Sequence, residues 1–161
     1  MLAVQISQDE QRDVSACSPY DLMDYVRNKI YGTIAANRQS NNLPELHIDT
    51  YSQNVMDEVL MSSDPSKERL MQMIEKNGVV CQEYDYIQGE CSIPDTAMPH
   101  SQNVNVYQNQ IRLAEETIQN NWSRLIANSN ITHLGLATKK ESGRYRLGIL
   151  TSKRYMCPSI L

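Results

Sequence analysis

Asn130-Ile131-Thr132-His133-Leu134-Gly135-Leu136-Ala137 and, after a polar interval, Tyr145-Arg146-Leu147-Gly148-Ile149-Leu150-Thr151 decide how this chain folds. Thr132 to Ala137 and Tyr145 to Thr151 are two apolar runs of strand length. Joined by Lys139-Lys140-Glu141-Ser142-Gly143, they read as a β-hairpin with a polar turn. Just upstream, Ile111, Ala114, Ile118, Trp122, Leu125 and Ile126 recur at helical spacing, the strongest such stripe in the chain. The spacing predicts a helix over about 107–128 that leads into the hairpin.

Further upstream the pattern is helical again. Ser18-Pro19 is an N-cap followed by proline at the first helical position, and Leu22, Val26, Ile30 and Ile34 recur every fourth residue, giving a helix over about 19–37. Arg38 to Asp49, with Asn41-Asn42-Leu43-Pro44, reads as a loop. Val55, Met56, Val59 and Leu60 mark a second helix, and Leu70, Met71, Met73 and Ile74 a short third one that starts after Asp64-Pro65 and stops near Asn77-Gly78. Residues 79–106 suggest one short strand and a long loop, and residues 1–17, polar and without a period, a tail. Helices with a small antiparallel sheet make an α+β chain whose helices cover sheet faces. There is no internal repeat.

A chain of 161 residues with 40% apolar residues is one globular domain; it holds nine Tyr, one Trp and no Phe, so its core is aliphatic with Met as filler. The 13 Asn and 12 Gln make much of the surface uncharged but polar. Residues 1–10 lack a signal-peptide core, and no run approaches the length of a membrane span, so the expectation is a soluble cytoplasmic protein. Cys17, Cys81, Cys91 and Cys157 form no CxxC pair and should stay reduced there; a Cys81–Cys91 disulfide fits only another compartment. Net charge is −4, yet residues 131–161 hold Lys139, Lys140, Arg144, Arg146, Lys153 and Arg154 against Glu141 alone. That surplus of five leaves −9 on the rest. The basic segment is either a solvated hairpin or a docking site for an acidic macromolecular surface.

Four stretches together resemble the CAP superfamily, the SCP-like domains of cysteine-rich secretory and pathogenesis-related proteins. Arg38, Leu43-Pro44-Glu45-Leu46 and Asp49 are similar to the family segment after its first helix. Ser66 to Leu70 with Asn77-Gly78 resembles its next short helix, Gly89-Glu90-Cys91 its Gly-Glu-Asn, and Asn130 to Ala137 its Thr-x-Ile-Gly-Val-Gly strand. The resemblance spans about 20–152. It implies an α-β-α sandwich of about three antiparallel strands and about four helices, with tails at 1–17 and 153–161 around a domain at 18–152.

The family's pocket carries two His and two acids, proposed to bind metal or act catalytically, which requires neutral imidazoles and carboxylates converging on one point. Here that set is broken. Met61 to Lys76 contains no His, Trp122 falls where the second His would be, and Glu90 alone matches. An indole has one N–H donor and no acceptor, so Trp122 can neither ligate a metal nor shuttle a proton; its expected role is a core anchor. His47, His100 and His133 lie in two loops and a strand, where surface or structural roles are the default. No nucleophile elbow, phosphate loop, zinc-protease helix or Ca²⁺ loop occurs, and seven scattered tyrosines do not build a nucleic-acid platform.

The expectation is therefore a non-enzymatic CAP-like adaptor or structural subunit of a larger intracellular protein assembly, without metal or cofactor. It would meet an acidic partner through Lys139, Lys140, Arg144, Arg146, Lys153 and Arg154; a cytoskeletal or axonemal filament would suit. Lipid or sterol binding, which the resemblance implies, is a second reading, to be recognised by an apolar channel beside residues 79–106. A hydrolase with residual pocket chemistry is a third.

Overall fold

A computed structural model describes residues 6–48, 54, 68, 82–92, 102–141 and 143–154. In chain order these form α1 (Gln8–Ser15), α2 (Pro19–Ser40), β1 (His47–Ile48), β2 (Gln82–Ser92), α3 (Gln102–Asn120), α4 (Trp122–Leu125), β3 (His133–Glu141) and β4 (Arg144–Arg154). The second and third helices expected from sequence lie outside the described residues.

The start of α2 follows the cap signal: the Ser18 hydroxyl oxygen accepts the Asp21 N–H at 3.2 Å, with Pro19 in the first turn. Its four-residue stripe buries Leu22, Val26, Ile30 and Ile34 and continues to Arg38. In α3 the buried face is Tyr107, Ile111, Ala114 and Ile118, widened by Leu113 and Thr117. Asn121, at φ −121° and ψ 31°, interrupts the helix expected to run on to 128, so Trp122 begins a separate turn.

The sheet order is β1-β3-β4-β2. The hairpin closes with Glu141 opposite Arg144, and Gly143 takes φ +80°, a left-handed conformation that glycine adopts without a Cβ penalty. β2 pairs antiparallel with β4 along all eleven residues, so the one short strand expected in 79–106 is a long one. The fourth strand, β1, is two residues pairing in parallel with β3, His47 opposite His133.

Ile87, Ile149 and Leu136 stand in one row across the sheet on the face that meets α3, and all three are buried. On the opposite face Ala137, Leu150 and Ser152 are buried too. This is the expected α+β sandwich. Gly89 lets α3 approach: a Cβ there would lie 2.1 Å from Thr117 Oγ1.

The stretch expected as an N-terminal tail holds a docked helix. Ser7 caps α1 by accepting the Glu10 N–H at 3.1 Å, and Val14 is wholly buried. Asn103 Nδ2 donates to the Cys17 carbonyl at 3.0 Å, and the Tyr107 hydroxyl donates to Glu10. Burial and that bond raise the Tyr107 pKa. A short amphipathic turn with a single buried valine leaves no periodic signature, which is why the sequence reads as a tail.

Candidate functional site

Glu90 sits on β2 directly opposite Arg146 of β4, which in turn stands opposite Lys139 of β3. Strand alternation puts the three side chains on one face. Glu90 Oε1 accepts from Arg144 Nη1 at 2.8 Å and lies 3.6 Å from Arg146 Nε. The hydrogen bond from Arg144, reinforced by the charges of both arginines, holds the Glu90 carboxyl below the ordinary carboxylate value. Beside it, burial pushes Tyr86 up to about 12, against the pull of Arg146. A carboxylate held ionised between two guanidinium groups is a salt-bridge anchor, unfit as a general acid.

Trp122 is half-buried against the edge of the core, not enclosed within it as expected. The break at Asn121 rotates it off the α3 stripe. Its neighbour Arg124 makes the local ion pair instead, donating from Nη2 to Asp85 Oδ1 at 2.6 Å and to the Tyr86 carbonyl at 2.9 Å. Glu90 and Trp122 therefore do not reproduce a metal-binding or acid–base pair. One acid is claimed by arginines, and the indole has no lone pair to offer. The residues present do not fit the metal that the resemblance implies.

The six cations expected to form one patch divide between the ends of the hairpin. Lys139, Lys140, Arg144 and Arg146 flank the turn, while Lys153 and Arg154 lie at the far end, seven to ten residues along β4, about 23–33 Å at strand rise. Lys153 is exposed and stands opposite Glu83 in the β2 register. Near the turn, Arg144 is well exposed but Arg146 keeps only 21% of its side-chain surface. Two of the four turn cations are thus engaged with Glu90.

Sequence reasoning missed two arrangements. Arg38, 1% exposed, donates from Nε to the Pro44 carbonyl at 3.1 Å and from Nη1 to the carbonyls of Leu125 at 2.9 Å and Asn128 at 2.7 Å. Burial lowers its pKa. The sequence signals for this role are that Arg38 continues the four-residue stripe of α2 and that it heads the segment resembling the CAP family. The second is the ring contact of His47 with His133, centroids 5.3 Å apart, with Thr132 Oγ1 2.7 Å from His133 Nδ1. Among the described residues no group of three or more metal-ligating side chains occurs. Cys17 and Cys91 carry free thiols, the Cys91 thiol pushed up by burial.

An apolar cleft of about 210 Å³ opens between α2 and the segment leading into β1, lined by Tyr31, Ile34, Arg38, Leu46 and Ile48 among others. It is smaller than the roughly 300–1,000 Å³ of most small-molecule sites and lies away from the region where a lipid channel was expected, part of which falls outside the described residues. None of the described helices is long and apolar enough to cross a membrane.

No protein-family model matches the chain, and no curated protein matches it either. Solved structures do. The chain superimposes on a cysteine-rich secretory protein from Staphylococcus aureus with a TM-score of 0.51 at 17% identity, over 82% of this chain and 40% of that one. An outer surface protein from Borrelia burgdorferi aligns with a TM-score of 0.47 at 18% identity, over 81% of this chain and 94% of that one. An extracellular protein containing an SCP domain from Bacillus anthracis gives 0.45 and 18%, over 95% and 45%. The chain thus has a CAP-like fold, the SCP-type α+β sandwich. It spans well under half the length of the staphylococcal protein, and at this identity the likeness concerns the fold alone.

Proposed function

We propose that this CAP-like chain is a non-enzymatic structural or adaptor subunit that docks to an acidic protein surface through the turn of the β3–β4 hairpin. The observation that carries the reading is the Glu90 ion pair. The one acid matching the family pocket is spent on Arg144 and Arg146, while Trp122 occupies the position of a pocket His. What remains is a cluster of Lys139, Lys140, Arg144 and Arg146 that outnumbers its neighbouring acids Glu90 and Glu141 by two, on a chain otherwise acidic. Such a cluster steers an acidic partner into register more than it adds raw affinity. A cytoplasmic setting, with a cytoskeletal or axonemal filament as the acidic partner, is the finer form of the proposal; the free thiols of Cys17 and Cys91 agree with a reducing compartment.

The test is affinity purification from native cells at low and raised salt, wild type against a Lys139→Glu/Lys140→Glu variant. Specific partners should be retained by wild type at low salt and released both by salt and by the variant, since screening sets in over roughly 8 Å at physiological ionic strength. Identical retention by both proteins with a flat salt dependence would overturn the proposal and move the interface to the acidic helices.

A further inference from the structure

Arg38 is a buried cation whose hydrogen bonds go to neutral groups. Nε and Nη1 are taken up by the carbonyls of Pro44, Leu125 and Asn128, while Nη2 is enclosed without a hydrogen-bond partner. Dipoles compensate a desolvated charge only in part, and an unmet donor on a charged group is costly. The same residue lines the cleft of about 210 Å³, whose walls include Tyr31, Ile34, Leu46, Ile48 and Leu134. Apolar cavities of about 150 Å³ admit benzene, so this volume takes a benzene-sized body with a small polar head.

We propose that the cleft between α2 and β1 binds a small monocarboxylate with one aromatic or branched apolar body, its carboxylate accepting from Arg38 Nη2. The small volume excludes long flexible chains. The buried guanidinium selects negative charge. Glu45 also lines the cleft, exposed at its rim, and its charge opposes the ligand. Gly32 borders the opening, where an added Cβ would meet nothing within 4 Å, so a larger side chain can be placed there without strain on the fold.

Phenylacetate and, as the uncharged counterpart, benzyl alcohol are titrated into the full chain by NMR. Phenylacetate should shift the methyls of Ile34, Leu46 and Leu134 together with the Arg38 side-chain N–H signals in a saturable way. Benzyl alcohol should bind at least about tenfold more weakly, the loss expected for one charged hydrogen bond. Gly32→Leu should block binding without lowering the thermal midpoint, since leucine is the better helix former, and Glu45→Gln should tighten it a few-fold by removing a like charge. Equal affinity for the two probes, binding that leaves the Arg38 signals unmoved, or no saturable shift at millimolar phenylacetate would each overturn the proposal.

Discussion

Arg38 and Leu125 stand 87 residues apart in the chain and are joined by a 2.9 Å hydrogen bond from the guanidinium Nη1 to a main-chain carbonyl. With the bonds to Pro44 and Asn128, one side chain fastens the end of α2, the loop into β1 and the turn after α3. Arg38→Met should remove the donors and leave three carbonyls to find water or go unpaired, at a cost of about 3 kcal/mol in urea denaturation. Arg38→Lys should restore only part of that, because a single ammonium lacks the planar fork that reaches several acceptors.

At Gly89 the strand β2 and the helix α3 approach closely enough that a methyl group would overlap Thr117 Oγ1. Gly89→Ala should destabilise by about 1–3 kcal/mol. Thr117 bonds only its own helix at Leu113, 2.7 Å away, so its hydroxyl is dispensable. The double variant Gly89→Ala/Thr117→Ala should recover at least about 1 kcal/mol of the loss, measured as a coupling energy in a double-mutant cycle. Strict additivity would refute the steric account.

α1 is fastened through Tyr107 to Glu10, with Lys29 Nζ 3.4 Å from the same carboxylate. Tyr107→Phe should cost about 2 kcal/mol, the worth of a hydrogen bond to a charged group. Hydrogen exchange should accelerate over Gln8–Ser15 more than in β3. An unchanged exchange pattern would return this segment to the status of a tail.

Glu90 titrates below its ordinary value because Arg144 donates to it and both arginines favour its charged form. Its folded-state pKa is depressed, so its contribution to stability is present above the unfolded value of about 4.3 and is lost as pH falls through the lower folded value. The pair is exposed to solvent, which screens it, so the contribution is small. A carboxylate-resolved NMR titration should show the low midpoint, and Arg144→Gln should raise it. Glu90→Gln should also leave Arg144 and Arg146 without their counter-charge and strengthen binding to an acidic surface.

The features legible before any coordinates were those repeated along the chain. Leu22, Val26, Ile30 and Ile34 on one helix face, Ile111 and Ile118 on another, and Leu134 and Leu147 in the hairpin all enter the core as their spacing implied. β2 was harder to read. Gln82 to Ser92 carries Glu83, Asp85, Gln88 and Glu90, a composition unlike a central strand, and it is stable because β4 pairs with it and α3 covers one face. Trp122 misled because periodicity assumes an unbroken helix: Asn121 is non-helical and Trp122 opens a separate turn at the edge of the core, although Leu125 and Ile126 beyond it are buried as their spacing implied.

By itself the sequence determined the class of fold and the incapacity of Trp122 as a metal ligand. Both follow from local periodicity and from which atoms a side chain possesses: no arrangement of this chain gives Trp122 a lone pair. Only the tertiary structure decided the company that charges keep. Glu90 meets Arg144 across 54 residues, Arg38 meets Leu125, and the basic hairpin divides into two ends more than about 20 Å apart. Ion pairs and buried donors are fixed by strand register and by the close approach of helix to sheet, and both depend on contacts between segments distant in the chain.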